Sequence, residues 1–434
     1  MKIKKEYLWI IGIIIVLLLM ISLAVFKTKS NYQGNESLVY SYNGWLYYNN
    51  ESNKLGRGSY ESVKYARNRE DFLYKIENDL YLHKSHSEFK VMTDVKDYEF
   101  SADDEYVVAL NIDNTLGIYV KGKLVEINKE VKKYLGMYKN SLYYYKDNII
   151  YLYNISKNES KELLSDIANP VLKNNKLIYL DKENNLNVYE VDTFKNVIKL
   201  DSVIAYNYNH DLTKIAYLNK ERELYLYEAS GKIKVDSDVI NIVSTDEYIV
   251  YNKLKDNNLL YYIAKGNKKK EFSNGGLNSC SLNNEKMYCI SLDGTLYSIS
   301  KKIEIAKIVD NAFDKIYEYN DKLYIVSVKN NKNILYKIEN DKLEVIDDNV
   351  VYSSVMINDN KMYYLKVNKD HNDLYAYNDS ESMLISEKID KYYIIDKNIY
   401  LLKNYDEKTL KGSLYLYNLK KDRLVIENMT DLAV

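Results

Sequence analysis

The feature that most constrains this chain is a repeat running from end to end. A Leu-Tyr pair, or a close variant, recurs after a turn at Leu46-Tyr47, Leu80-Tyr81, Leu116, Ile150-Tyr151, Leu186 and Leu224-Tyr225. It continues at Leu260-Tyr261, Leu296-Tyr297, Leu335-Tyr336, Leu374-Tyr375 and Leu414-Tyr415. Successive anchors stand 34, 36, 34, 36, 38, 36, 36, 39, 39 and 40 residues apart. A period held over eleven copies implies one supersecondary unit that buries its faces against its neighbours.

Each period divides into four short alternating segments bounded by Asn, Asp, Lys or Gly, the pattern of half-buried strands. From Val95 they are "VKDYEFS", "EYVVALN", "TLGIYV" and "KLVEIN"; from Ile167, "IANPVLK", "KLIYL", "NLNVYEV" and "NVIKL"; from Val239, "VINIVS", "EYIVYN", "LLYYIA" and "KKKEF". Four-strand units of this length are β-propeller blades. The expected fold is therefore an all-β propeller spanning 37–434, with eleven repeats forming one large ring or two smaller rings. The opening "SLVYSYNGWLYYNN" supplies second and third strands without a first, and the closing "RLVIENMTDLAV" supplies a fourth strand and the start of a first. The C-terminal strand is expected to complete the first blade, which hides two sheet edges.

Composition agrees with this reading and narrows the function classes. There are 48 Tyr, 1 Pro and 14 Gly, and Tyr suits half-buried pleated surfaces because its ring is apolar and its hydroxyl can stay wet. Strand tyrosines such as Tyr144, Tyr151, Tyr217, Tyr225, Tyr261 and Tyr364 are expected to pack between blades. Lys+Arg 61 against Asp+Glu 62 leaves a net charge of -1, which provides no electrostatic footprint for nucleic acid. The basic run "KGNKKK" at 265–270 is followed by Glu271 and reads as a solvated turn.

Two stretches carry a resemblance. "FSADDEYVVAL" (100–110) resembles the hairpin of TolB-like propeller repeats, and "SLDGTLYSI" (291–299) looks like the same class and like pyrroloquinoline-quinone-type repeats. A looser similarity links the chain to the low-density-lipoprotein-receptor type of propeller, since no Tyr-Trp-Thr-Asp motif occurs. The resemblance implies the fold and a habit of binding proteins or glycans; it carries over no catalytic residue.

The address is written near the N-terminus. Leu8 to Phe26, "LWIIGIIIVLLLMISLAVF", is uncharged over 19 residues, about the ~20 needed to span a bilayer. Lys2, Lys4 and Lys5 precede it and Lys27 and Lys29 follow, a bias toward an inside N-terminus. The expected organisation is a short cytoplasmic tail (1–7), a transmembrane signal-anchor helix (8–26), a linker (27–36) and an extracytoplasmic propeller (37–434). The alternative is a secreted chain cleaved near Ala24.

A search for chemistry finds little. His83 and His86, in "LHKSHSE", read as a solvated inter-strand loop without a third metal ligand, and no cofactor is expected. The acidic turns at 111–115, 181–185 and 368–373 lack calcium-loop spacing and read as hairpin turns. No nucleophile elbow, Walker loop, dinucleotide fingerprint or C-x-x-C occurs. Catalytic, cofactor and metal residues are thus expected to be none. The expected function is a non-catalytic membrane-anchored binding module for a protein, peptide or envelope glycan. The alternatives are a cell-surface polysaccharide hydrolase or lyase, or an assembly scaffold.

The two cysteines fall on the first and second strands of one repeat, "LNSCSLN" and "KMYCISL". Counting outward from a two-residue turn at Asn284-Glu285 places Cys280 directly opposite Cys289, in a non-hydrogen-bonded pair of about 4.5 Å between Cα atoms. That separation permits a disulfide. Two buried free thiols are the alternative.

Overall fold

The computed structural model describes residues 37–434 apart from 274–275, 284–285, 359 and 419–421. The tail, apolar stretch and linker expected at 1–7, 8–26 and 27–36 lie outside the described residues. No helix among the described residues is long and apolar enough to cross a membrane.

The described chain is all-β, a propeller fold of eleven four-stranded antiparallel blades, and its only helical elements are two single turns of 3-10 helix. Its hairpins explain how so few glycines suffice. Asp147/Asn148, Asp256/Asn257, Asn320/Asp321, Asn330/Asn331 and Asn340/Asp341 each place two consecutive residues at φ between 50° and 63°. Each pair forms the two-residue loop of a hairpin, where the left-handed backbone matches strand twist. Asn and Asp reach that conformation because their short side chains bond the local backbone.

The repeated Leu-Tyr anchor lies on the third strand of each blade. Leu46, Leu80, Leu116, Ile150, Leu186, Leu224, Leu296, Leu335, Leu374 and Leu414 are all 0 % exposed. Burying one such side chain stabilises by about 1.5–3 kcal/mol, so the period of the sequence is the period of the core. A β-bulge immediately follows the anchor in most blades, for example at Leu80/Tyr81, Leu224/Tyr225 and Leu335/Tyr336. One anchor is corrected by one residue. In the repeat around residue 260 the bulge falls between Tyr261 and Tyr262, so Tyr261, not Leu260, holds the anchor position and Tyr262 takes the tyrosine position.

The chain divides into two compact units. The first comprises residues up to Val95 together with Asp390–Val434 and holds blades 1, 2 and 11. Blade 1 is ordered Asn50–Arg57, Trp45–Tyr48, Val39–Tyr42 and Asp431–Leu432, so a strand from the C-terminal stretch lies beside one from near residue 40. The pairing is Tyr40 with Leu432 and Ser41 with Asp431, reinforced by the Ala433 N–H donating to the Val39 carbonyl at 2.9 Å. Asp431 also accepts from Tyr393 at 2.5 Å and from Lys391 at 2.9 Å, which ties blade 11 to this strand.

The second unit, Lys96–Ile389, holds blades 3 to 10. Its apolar clusters form between successive blades rather than inside one. One joins Ala216, Leu224 and Leu226 of blade 6 to Val239, Ile249 and Tyr251 of blade 7. Another joins Tyr324 and Leu335 of blade 9 to Met362 and Tyr364 of blade 10. Tyr144, Tyr217 and Tyr364 are almost wholly buried, while Tyr151, Tyr225 and Tyr261 are half-buried beside such clusters. Directly paired tyrosines of second and third strands stack: Tyr144 on Tyr151 at 5.1 Å, Tyr217 on Tyr225 at 5.5 Å and Tyr364 on Tyr375 at 6.0 Å between ring centroids.

Candidate ligand-binding cleft

Three blade boundaries in the second unit, 3/4, 6/7 and 9/10, are fastened by a recurring polar lock. A tyrosine on the second strand of one blade bonds a side chain at the end of the fourth strand of the blade before it. Tyr251 donates to Asp236 at 2.8 Å and Tyr364 to Asp347 at 2.7 Å, while Asn128 donates to the Tyr144 hydroxyl at 2.9 Å. Two residues beyond each tyrosine stands a lysine on the same face of the strand, Lys253, Lys366 or Lys146. Lys253 and Lys366 pair with the same carboxylates as their tyrosines, and Lys146 pairs with Glu130. Asp236 is the most enclosed of these acceptors, its side chain 5 % exposed, with Lys269 as a further partner. Burial alone would raise the Asp236 pKa, but hydrogen bonds from Lys269 and Tyr251 hold it below the ordinary carboxylate value. Burial and the same carboxylate push the Tyr251 hydroxyl well up.

The boundary between blades 7 and 8 departs from this scheme at both positions. Pairing registers place Ser273 where Asp236 stands one blade earlier, since both oppose the third-strand anchor. They place Cys289 where the tyrosine stands, opposite Tyr297. Cys289 is 0 % exposed and instead bonds Cys280, its direct cross-strand partner, with S–S 2.11 Å and Cα–Cα 4.1 Å. Tyr297 turns its ring to Phe272, at 5.0 Å between centroids. An apolar cluster of Tyr248, Phe272, Met287 and Cys289 packs the remainder.

At this boundary a cleft of about 500 Å³ lies between the first strands of the two blades, Val239–Thr245 and Leu277–Asn283. That volume falls in the range of small-ligand sites. Blade 7 contributes Val243, Ser244 and the turn Asp246–Tyr248; blade 8 contributes 277–282 and Met287. Cys280 and Leu282 are exposed on one face of their strand. The opposite face is engaged by blade 9, where Ser279 accepts from the Ile316 N–H and Ser281 donates to Glu318. Glu247 is spoken for by Lys265 and Lys214, and the Lys265 hydrogen bond is the main influence holding its pKa low. A smaller cavity of about 150 Å³, lined by those two lysines, lies behind the same turn toward blade 6.

The residues singled out from the sequence do not converge on this cleft, apart from Cys280. His83 corrects the expectation of a solvated loop. Its strand, Asp79–Lys84, runs on to the two-residue turn Ser85-His86, so His83 is 2 % exposed, stacked on Phe72 at 4.6 Å and bonded to Glu88 at 2.8 Å. Its neighbour His86 sits at the turn, ring centroids 6.4 Å apart. His210 and His371 bond adjacent acids, Asp211 and Asp370. The acidic turns are engaged in their own geometry: Asp181 accepts from the N–H groups of Glu183 and Asn185, and Asn111 from that of Thr115. Among the described residues no group of three His, Cys, Asp or Glu side chains is arranged to hold a metal ion. The cleft itself was missed from the sequence, which singles out only Cys280 among its lining residues.

No protein-family model matches the sequence, and no curated protein shows significant sequence similarity to it. Solved structures with similar folds include Porphyromonas gingivalis dipeptidyl peptidase 4, at 9 % identity, 85 % of this chain, 59 % of that chain and TM-score 0.41. The tricorn protease aligns at 10 % identity over 91 % of this chain and 58 % of its own, with TM-score 0.29. The computationally designed Ika8 protein aligns at 10 % identity over 67 % of this chain and 95 % of its own, with TM-score 0.33. At such distances the similarity is one of fold alone.

Proposed function

We propose that this chain is a non-catalytic binding module, anchored in a membrane by residues 8–26, that takes a protein, peptide or envelope-glycan ligand on its extracytoplasmic side in the cleft between blades 7 and 8. The observation that carries this reading is the cleft: a cavity of about 500 Å³ between the first strands of blades 7 and 8, with Val243, Leu277, Leu282 and Met287 as its apolar lining. Its polar groups support binding rather than turnover. Glu247, the one acid there held by neighbours, is bonded to two lysines, and the sulfurs of Cys280 and Cys289 are joined to each other. The cleft's other acid, Asp246, is exposed, and among the described residues no nucleophilic or acidic side chain is hydrogen-bonded to it as an acid–base couple would need. The uncharged 19-residue stretch supports the address.

The test uses the full chain in detergent, challenged with fractionated envelope peptides and polysaccharide, alongside Leu282→Arg, which places a long charged side chain at the cleft. Ligand retained by the wild type and lost by Leu282→Arg, with unchanged circular dichroism, is the expected result. Progressive release of new reducing ends from the polysaccharide would overturn the non-catalytic reading.

A further inference from the structure

We infer that the occupant of this cleft is a peptide segment presenting one basic side chain next to an apolar one, an inference that rests on the cleft being the binding site. Charge supplies the first argument. Among the described residues no Lys, Arg or His lines the cleft, whereas two carboxylates, Asp246 and Glu247, do. Glu247 is neutralised from behind by Lys214 and Lys265, through the smaller cavity. Asp246, at the turn shared by both cavities, is exposed and makes no ion pair with any described residue. The cleft therefore presents one uncompensated negative charge, and a single cation on the ligand complements it.

The walls supply the second. Val243, Leu277, Leu282 and Met287 are apolar, and Leu282 is left 47 % exposed. Lysine and arginine fit a site that is apolar along its length and acidic at one point, because their methylene stems lie on apolar surface while the charged head reaches out. A neighbouring aliphatic side chain on the ligand would cover Leu282.

The same features disfavour a glycan. A sugar packs the C–H face of its ring on an exposed aromatic side chain, and the one aromatic residue lining the cleft, Tyr248, is 2 % exposed. An anionic envelope polymer would meet the Asp246 carboxylate with like charge.

The deciding experiment selects from a randomised hexapeptide library with the full chain in detergent, in parallel with Asp246→Asn and Leu282→Arg. The expected wild-type selection is a basic residue adjacent to Leu, Ile, Val or Met. Asp246→Asn should lose the basic preference, keep the apolar one, and bind the selected peptide about ten-fold more weakly, a gap that narrows at high salt. Because Asp246 is exposed and unpaired, its amide variant should melt with the wild type. Selection without a basic residue, or equal affinity of Asp246→Asn, overturns this inference. A neutral oligosaccharide whose binding depends on Leu282 overturns it too, yet leaves the cleft as the binding site. If no bound probe responds to Leu282→Arg, both readings fall.

Discussion

The two sides of blade 7 are built from the same repeat and end differently. Toward blade 6, Tyr251, Lys253 and Lys269 converge on the buried carboxylate of Asp236. Toward blade 8, the corresponding positions hold Ser273 and Cys289, and a cleft lies between the first strands of the two blades. One boundary further on, both positions are apolar. Blade 8 ends its fourth strand with Val309 at that position, and blade 9 answers with Ile325 instead of tyrosine. A buried tyrosine hydroxyl without a partner costs about 1–3 kcal/mol, yet the two positions do not always change together: Tyr217 of blade 6 stands where blade 5 presents Leu200. Boundaries among the described residues thus include polar-locked and apolar kinds, and the cleft lies at one of the apolar ones.

The largest effect expected on this contrast comes from Asp236→Ala. Removing the carboxylate strands Tyr251 and leaves two lysines unpaired, which should cost about 3–5 kcal/mol in urea unfolding. Asp236→Asn, which still accepts, should cost clearly less. Next is the other boundary: Cys280→Ser with Cys289→Ser opens a ring of ten residues, and the chain-entropy estimate for that loss is about 2–3 kcal/mol. Hydrogen exchange should then rise in blades 7 and 8 but not across the Asp236 boundary. Tyr251→Phe removes one donor and keeps the ring stacked on Tyr262, for a cost of about 1.5 kcal/mol.

The smallest effect is one of pH. Asp236 has its pKa depressed in the fold, so its contribution is present above the unfolded value of about 3.9 and is lost as pH falls through the lower, folded value. Tyr251 has its pKa raised, so its contribution is present below about pH 10 and fades as pH climbs above it. Exchange at the boundary of blades 6 and 7 should quicken at those two extremes. Between blades 7 and 8, disulfide and apolar contacts should leave it flat; a shared response there would erase the contrast.

Much of the fold was legible because its determinants are local. The buried anchor, the Asn-Asp hairpins and the placement of Cys280 opposite Cys289 each follow from alternation counted over a few residues. The Ser291-Asp293 and Ser101-Asp103 hairpins close on themselves: each serine hydroxyl bonds the aspartate two residues on and accepts a backbone N–H, of Thr295 and Tyr106 respectively. Single-residue shifts were harder, because the bulge that moves the anchor from Leu260 to Tyr261 leaves the hydrophobic pattern intact. His83 was misread because Ser85 and His86 make a two-residue turn without Gly or Asn, which prolongs the strand. The polar lock joins residues 15 to 17 apart that belong to different blades, as with Tyr251 to Asp236 and Tyr364 to Asp347. Nothing in either strand alone marks them as partners. The cleft was hidden for a further reason: its walls come mainly from the first strands of two different blades.

The short strand Asp431–Leu432 also sets a schedule for biosynthesis. Ser41 and Asp431, bonded neighbours in blade 1, are 390 residues apart along the chain. At about 5–20 residues per second, the ribosome needs some tens of seconds between making one and the other. Of the eleven described blades, the first begun is thus the last to be finished, and its open edge must wait through the synthesis of the other ten. That waiting edge is where a chaperone, or a wrongly placed strand from a second nascent chain, would have its opportunity.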